Sequence, residues 1–497
     1  LQSKVDKERM SYEAVVLAAG LGNSVRCLIG NSCKALLPVG GLPIIYYPIR
    51  LLRVHGIARI TLIVLETFKN DVQAWMERLF PDAAAAGVFE YLEQREEDAH
   101  GTMDALRDYG DRARADNIVI ISGDLLCDTG LLRSVTDVHD KRLCPLTMLL
   151  SNRTPLSEQQ QKQQQQQPQA ATPGGKVKSK PDRDLIGLAP APSGPHPPAT
   201  SAQLAECNYV QGEHRVVFMQ GEADLGRRLP VHLASLQNEQ FGHCLDFLRC
   251  LLDAHLYILR RDFLHTLCVS GRLNRLAMFK GECLPHIVNS LQFSQDSQDL
   301  LLPQQDEQQQ KQQQPQQKQQ QQQQEQKSSQ QNQDDRLAWP TILNQSDSYG
   351  GAFDVRNTRQ VFAYVLPADR LCLRVNNLPA YAEANRSLLR SQQRKQQQQQ
   401  QIQPINPTAS IADGAVIKRS FIGANCTIGA NSRLADCVLM DGASVGCGAN
   451  LTNSILCSGS ACQDGCTLRD CIVEADCSVN AGSTHAAEVI SDADFAT

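Results

Sequence analysis

Two stretches of the chain carry residues that could hold a phosphate group. The first, VVLAAGLGNSVRCLIGNSCKALLPVGG at residues 15–41, breaks from an apolar run into a glycine turn at Gly20 and Gly22 and then places Lys34 before LLPV. Glycines let a backbone approach phosphate oxygens, and a lysine neutralises their charge. The second stretch, SGDLL, places Asp124 directly after another apolar run. Together they predict a nucleoside triphosphate site, although the first loop is short of cations.

Each of these residues also has a structural interpretation. Gly20 and Gly22 can form a tight strand-to-helix turn with no ligand bound. Lys34 can be a solvated surface lysine, and Asp124 can cap the turn that follows it. The residues alone therefore leave open whether the chain performs chemistry on a nucleotide or only keeps the shape of such a site.

Apolar strands alternate with helical segments around both stretches. The pattern predicts strands at 13–19, 59–66 and 117–126, and helices at 42–56 and 71–80. Such alternation is typical of a mostly parallel sheet with helices on both faces. Ligands in these folds bind beyond the carboxyl ends of the strands. We therefore expect the loop after Leu17 and the loop with Asp124 to lie at the same edge of the sheet.

The composition argues against several classes of protein. The 497 residues suit two domains, 42% of them are hydrophobic, and the net charge is −5. The sequence lacks the basic stripe that would indicate direct nucleic-acid binding. Its apolar runs are also shorter than the roughly 20 residues that a membrane span needs. The 18 cysteines are scattered without paired zinc spacing, and the charged start LQSKVDKERM is unlike a signal peptide. Reduced thiols and a cytosolic location are therefore expected.

Low-complexity segments divide the chain. Glutamine runs occupy about 159–167, 304–333 and 392–403, and a Pro/Ala-rich stretch covers 189–200. Because none has the aliphatic content to bury a core, we predict disordered surface insertions, with a glutamine-rich interaction segment as the alternative. The predicted boundaries are 11–390 for a first domain with insertions near 155–182, 189–210 and 300–335, then a glutamine-rich linker at 391–404 and a repeat domain at 405–482.

A 17-residue repeat fills the C-terminal region. Apolar residues recur at spacings of six, five and six, so that every third one falls in the same column. The columns are Ile411, Ile428, Val445, Cys462 and Val479; Ile417, Leu434, Leu451 and Leu468; and Ile422, Leu439, Leu456 and Val473. No helical period gives this pattern. It predicts a three-sided parallel β-helix with one inward residue on each face, and a set of ordinary short strands is the alternative.

A β-helix raises a further functional alternative. Many such domains are acyltransferases, which need a catalytic histidine in an extended loop. The repeat region holds only His485, past the last regular coil, which argues against that activity. His100 and His255 are interpreted as structural rather than catalytic. End coils leave strand edges that need covering, so these domains often carry subunit interfaces.

The combined pattern resembles the sugar-nucleotide pyrophosphorylase family. The resemblance rests on the LAAGLG turn, the lysine before LLPV and the C-terminal β-helix. A narrower match, to the gamma-type subunits of eukaryotic translation initiation factor 2B, rests on RDLIG (183–187), FMQGEADL (218–225), LLDAHLYIL (251–259) and YAEANR (381–386). It covers nearly everything outside the low-complexity segments. It implies an α/β nucleotidyltransferase-like, Rossmann-like domain with a mixed, mostly parallel sheet, followed by a left-handed parallel β-helix.

The phosphate loop departs from the motif of the active family members. Those enzymes read LAAGxGxR, whereas Ser24 stands here at the position of the arginine. Arg26 comes two residues late. Lys34 is retained, and GTMDAL at 101–106 resembles the loop that reads the base and the sugar, with Gly101 and Thr102 matching.

The metal site departs further. The family binds Mg²⁺ with two aspartates, and Asp124 matches the first of them. The second aspartate of the family belongs to a W-x-D-x-G motif. At its position, seven residues before Tyr381, stands Arg374, and Asn376 replaces the glycine of that motif. Nucleotidyl transfer needs the metal to offset developing phosphate charge, so exchanging a carboxylate for a cation should slow turnover by more than an order of magnitude.

The resemblance implies a chain that has lost turnover, with no catalytic residue, metal or cofactor. Its vestigial nucleotide-binding set is Gly20, Gly22, Lys34, Gly101, Thr102 and Asp124. It implies a non-catalytic subunit of the guanine-nucleotide exchange factor for initiation factor 2, bound to an epsilon-type subunit and to other subunits of factor 2B. The exchange step is expected in the partner, because this chain shows no acidic-aromatic helical module after the β-helix.

Two alternatives remain. One is an active mannose-1-phosphate guanylyltransferase or glucose-1-phosphate counterpart, against which Ser24 and Arg374 argue together. The other is a free-standing protein that senses a nucleotide or sugar nucleotide, which the retained glycines, Lys34 and Asp124 would allow.

Overall fold

The computed structural model describes residues 11–30, 32–95, 101–151, 184–190, 210–221, 224–225, 246–249, 251–269, 276–291, 360–367, 369–394 and 404–491. The glutamine runs predicted at 159–167 and 304–333 lie outside the described residues, as do residues 395–403 of the third run.

A ten-stranded mixed sheet forms the first domain. Its spatial order is Asp246–Leu248, Asp184–Pro190, Gly212–Gly221, Val361–Val365, Leu146–Ser151, Leu252–Arg260, Asn117–Ser122, Tyr12–Leu17, Ile60–Leu65 and Phe89–Gln94. The last four strands in this order are parallel, and Leu252–Arg260 runs antiparallel to both of its neighbours. A buried apolar cluster lies on each face of the sheet. The predicted fold class of this domain is confirmed.

The helices of the described residues are Arg26–Ile29, Tyr46–Val54, Lys69–Leu79, Pro81–Ala85, Thr102–Gly110, Leu131–Arg142, Arg261–Val269, Leu284–His286 and Leu378–Arg394. Turns with π-type hydrogen bonding, Phe279–Cys283 and Ile287–Leu291, flank the three-residue helix. The helix predicted from residue 42 begins later, because Leu42–Pro43 pairs with Pro38–Val39 in a small hairpin.

The predicted strand 117–126 is two strands. The first ends at Ser122, where the backbone N–H of Gly123 donates to the carbonyl of Leu17 across the sheet edge, 2.8 Å away. Leu125–Cys127 then pairs antiparallel with Cys372–Arg374, away from the main sheet. Asp124 occupies the turn between the two strands.

The second domain is a parallel β-helix of five coils. Its first face holds Ser410–Ile411, Thr427–Ile428, Ser444–Val445, Ala461–Cys462 and Ser478–Val479. Its second face holds Val416–Lys418, Arg433–Ala435, Asn450–Thr452, Thr467–Arg469 and Thr484–Ala486. Its third face holds Phe421–Ile422, Val438–Leu439, Ile455–Leu456, Ile472–Val473 and Val489–Ile490. The register of every predicted column is confirmed, because its members pair residue for residue, but Ile411 in the first coil is exposed.

The corners of the β-helix repeat at the same interval. Between the second and third faces a left-handed backbone recurs every 17 residues, with φ from 47° to 58°, at Arg419, Asp436, Asn453, Asp470 and Ala487. Asparagine and aspartate tolerate this conformation better than other non-glycine residues. Side chains at this corner also join neighbouring coils, since Asn453 donates to the carboxylate of Asp470, 2.5 Å away.

Three boundaries differ from the prediction. The helix ending at Arg394 includes residues 391–394 of the predicted linker, and Ala189 and Pro190 of the predicted insertion belong to a strand. The fifth coil continues to Ile490, beyond the predicted end at 482. His485, predicted to lie past the last coil, therefore sits in it, in register with Leu468.

Leu378–Arg394, here named the bridging helix, joins the two domains. Its apolar side packs with outward residues of the third face, including Phe421, Val438 and Ile455. Arg386 also donates to the side-chain oxygen of Asn453 on the β-helix, 2.9 Å away. The first three coils of the third face are thus buried on their outer side as well as their inner side, whereas Val489 in the fifth coil is exposed.

Two further observations bear on the class of protein. None of the helices in the described ranges is long and apolar enough to cross a membrane. The fifteen cysteines in those ranges are free thiols.

Candidate functional site: a buried ion cluster at the sheet edge

Asp124 lies at the carboxyl end of the parallel strands, as the strand pattern predicts. Its side chain is only 5% exposed. Ser122 donates its hydroxyl proton to one carboxylate oxygen of Asp124 at 2.6 Å. The position corresponds to the edge where α/β sheets bind ligands.

Lys34 is brought to Asp124 by the loop that follows the first strand. Its ammonium group donates to the second carboxylate oxygen of Asp124. Gly22 adopts a φ of 69°, and a Cβ there would come 3.1 Å from both the Ile29 side chain and the Cβ of Lys34. Gly22 is therefore needed for the turn itself, while no described atom lies within 4 Å of a Cβ placed on Gly20.

Arg374 completes the cluster from the strand that pairs beside Asp124. Its Nε lies 3.1 Å from Oδ1 of Asp124 and its Nη2 lies 3.2 Å from Oδ2. This is the two-pronged geometry that a guanidinium forms best with a carboxylate. Both partners are largely buried, with 19% of the Arg374 side chain exposed.

His255 forms a hydrogen bond with the guanidinium of Arg374, and the sequence did not predict this contact. Nη1 of Arg374 lies 2.8 Å from Nε2 of His255. His255 has a φ of 52° at an irregularity of its strand between Asp253 and Tyr257. Asp253 accepts the backbone N–H of His255 at 2.9 Å and also the hydroxyl of Tyr257, which holds this irregular turn in place.

The charges of the cluster follow from its surroundings. Burial raises the pKa of Asp124, but the charges of Arg374 and Lys34 outweigh it and hold that pKa well below its usual range. Burial, aided by Arg374, holds the pKa of His255 well below its usual range. The imidazole is therefore neutral and its Nε2 accepts a hydrogen bond from Nη1 of Arg374, while Asp124 is an anion between two cations.

Gly101 and Thr102 contact a different segment. A Cβ on Gly101 would come 2.0 Å from the carbonyl oxygen of Ala277, and that same oxygen accepts the N–H of Met103 at 2.9 Å. The hydroxyl of Thr102 accepts the N–H of Phe279 at 2.8 Å. Both residues thus hold residues 277–279 of the chain itself.

Ser24 and Arg26, the two residues at the expected arginine, are exposed in the short helical segment after Gly22. Among the described contacts, none joins either side chain to Asp124. The cations that reach Asp124 come instead from Lys34 and Arg374.

The residues present do not fit the Mg²⁺ that the pyrophosphorylase resemblance implies. Magnesium needs several oxygen ligands at close range. Both oxygens of Asp124 already accept from Lys34, Arg374 and Ser122, and two of these groups are cations. Within the described ranges, no three acidic, histidine or cysteine side chains are grouped to hold a metal. Chemically, the arrangement is a closed ion cluster in which one carboxylate is shared by two cations.

Comparisons with known proteins agree with both domains. A nucleotidyl transferase family model matches residues 13–158, and a model of the LbH domain of EIF2B subunit epsilon matches residues 381–485. The chain is 20% identical to translation initiation factor eIF2B subunit gamma of Dictyostelium discoideum over 435 residues, covering 84% of this chain and 85% of that protein. It is 38% identical to the subunit of the same name from Schizosaccharomyces pombe over 69 residues, which cover 14% of this chain and 15% of that protein. The predicted resemblance to gamma-type subunits is confirmed.

Proposed function

We propose that this chain, which resembles eIF2B gamma subunits along most of its length, is a non-catalytic subunit of the guanine-nucleotide exchange factor for translation initiation factor 2. In this role it scaffolds an epsilon-type subunit and docks the substrate factor, and the exchange step belongs to the partner. The match to subunits of that name over 84% of the chain supports the assignment.

The ion cluster supports the proposal that this chain does not catalyse nucleotidyl transfer. Arg374 places a guanidinium on the carboxylate that a nucleotidyltransferase would use for its metal. A fixed cation cannot bridge phosphate oxygens and shift with the reacting group as a metal does. A vestigial role for Gly20, Gly22, Lys34, Gly101, Thr102 and Asp124 remains part of the proposal.

We expect no pyrophosphorylase activity from the purified chain. The assay offers GTP, UTP or ATP with hexose-1-phosphates and Mg²⁺, and measures released pyrophosphate. The signal should equal that of the Asp124→Ala variant. Metal-dependent release that Asp124→Ala abolishes would instead establish the alternative, an active mannose-1-phosphate guanylyltransferase or glucose-1-phosphate counterpart.

We also expect a stable complex with an epsilon-type subunit, with both domains contributing to an interface on the order of 2,000 Å² or more. The test is co-expression, gel filtration and GDP release from initiation factor 2. The chain alone should not speed release, whereas the complex should. Failure to co-elute, or full exchange activity from this chain alone, would refute the assignment.

A further inference from the structure

We propose that Lys34, Asp124 and Arg374 form a permanent clasp that fixes the β-helix against the sheet domain. The feature behind this inference is the position of the cluster, which lies where the segments leading to the bridging helix meet. The clasp requires no partner subunit, so it can be tested independently of the proposed function.

The strand that carries Arg374 is fixed to the segment that contains Asp124. Beyond the two guanidinium contacts, the backbone N–H of Val375 donates to the carbonyl of Asp124 at 2.9 Å. At the other end of the strand, Asp128 accepts the N–H of Leu371 on its carboxylate at 3.3 Å. Residues 371–375 are thus held along their length to the segment after Asp124.

The bridging helix starts almost at once after that strand. Asn377 caps it, because its side-chain oxygen accepts the N–H of Ala380 at 2.9 Å. Only one residue separates Val375 from this cap. The position of Arg374 therefore sets where the helix begins and in which direction it runs.

A second attachment runs through Lys34. The hairpin Pro38–Val39 and Leu42–Pro43 begins four residues after Lys34. The hydroxyl of Tyr381 donates to the carbonyl of Pro38 at 2.8 Å, and the N–H of Gly40 donates to the side chain of Asn385 at 2.8 Å. One carboxylate, Asp124, thus anchors both the strand before the helix and the loop that leads to this hairpin.

The bridging helix and the hairpin both contact the third face of the β-helix. Leu388 of the bridging helix and Phe421 of the third face both approach Gly40, where a Cβ would come 2.7 Å and 3.6 Å from them. Arg386 reaches Asn453 two coils further along. Because packed interiors transmit small displacements, loosening Arg374 should loosen the contact with the third face.

Hydrogen–deuterium exchange on the full chain tests the clasp. In Arg374→Met we expect exchange about three- to tenfold faster at 123–127, in the bridging helix and in the strands of the third face. The first-face strand Ser444–Val445 should keep its rate. Arg374→Lys retains the charge but not the two-pronged contact, so it should give an intermediate rate on the third face.

Arg142→Met is the matched control. Arg142 is also a buried arginine, 11% exposed and paired with Glu213, but it contacts neither the bridging helix nor the β-helix among the described residues. It should accelerate exchange only near its own site. Equal acceleration of the third face in this control would show general destabilisation and overturn the clasp, as would Arg374→Met accelerating 123–127 while the third face stays unchanged.

Asn385→Ala keeps the test decisive if Arg374→Met does not fold. It breaks the second attachment and leaves the ion cluster intact. Faster exchange at Gly40 and on the third face, without a change at 123–127, is expected. Unchanged exchange on the third face in both Asn385→Ala and Arg374→Lys would refute the proposal.

Discussion

Buried ionisable side chains in this protein are fixed in one protonation state by their neighbours. Asp124 is held as an anion by two cations, whereas burial keeps His139 neutral. The ring nitrogens of His139 lie 2.8 Å from the Thr147 hydroxyl and 3.2 Å from the Asn117 side-chain oxygen. Burial lowers the pKa of His139 to about 3. Such groups make the free energy of unfolding depend on pH.

The sign of this dependence follows from His139. Below its unfolded pKa of about 6.5 the unfolded chain takes up a proton that the folded chain refuses, so stability falls as the pH drops towards 3. In His139→Gln the loss between pH 7 and pH 5 should be smaller by about 2 kcal/mol than in the parent chain. Urea unfolding at several pH values measures this, and parallel curves for the two proteins would contradict it.

Sequence reasoning located part of this cluster for a physical reason. Parallel strands bring their carboxyl ends to one edge, so Lys34 and Asp124 could be expected together. Arg374 was assigned through resemblance, because no spacing links it to Asp124 across 250 residues. The support from His255 could not be predicted, because it depends on a local irregularity in a strand that reads as regular.

At the scale of elements, the β-helix owes its stability to columns of inward side chains. Leu451 is fully buried between Leu434 and Leu468, within the apolar cluster that fills the β-helix. Its neighbour Asn450 belongs to the same strand and is exposed. The side chain of Asn450 therefore faces outward.

This pair gives a direct test of the register. Leu451→Asp buries an unpaired carboxylate and should cost on the order of 3–5 kcal/mol in the free energy of unfolding. Asn450→Asp, the matched control, should change it by less than about 1 kcal/mol. Thermal and urea unfolding measure both, and equal effects would mean that the 17-residue register is wrong.

The β-helix was the most predictable element, because its period is set by local geometry and repeats five times. The bridging helix was the least predictable. Its sequence runs on into the glutamine tract, and polar composition alone placed the start of the predicted linker at 391, inside the helix. Its packing against the third face joins residues far apart in the chain, which no local pattern encodes.

At the scale of the whole molecule, segments far apart in the chain complete one sheet. The strand Val361–Val365 pairs with Leu146–Ser151 and with Gly212–Gly221, on either side of long low-complexity segments. The flanks of those segments are therefore held by the sheet, whatever lies between them.

Deleting residues 304–333 should therefore leave the molecule intact. The strands on both sides keep their partners, and loop-closure entropy changes only slowly with loop length. We expect the unfolding midpoint to shift by no more than about 1 °C and the proposed complex with an epsilon-type subunit to form as it does with the full chain. A lost complex with an unchanged midpoint would instead indicate a glutamine-rich interaction segment.

The 17-residue coil also constrains how this protein can change in length. Adding or removing one whole coil moves the end of the β-helix by about 4.8 Å along its axis without turning its faces. Inserting a single residue within a strand instead turns the inward side chains that follow it in that strand outward, because successive side chains point to opposite faces. The length of the β-helix can therefore change in evolution only in steps of one coil. Each such step preserves the orientation of the three faces.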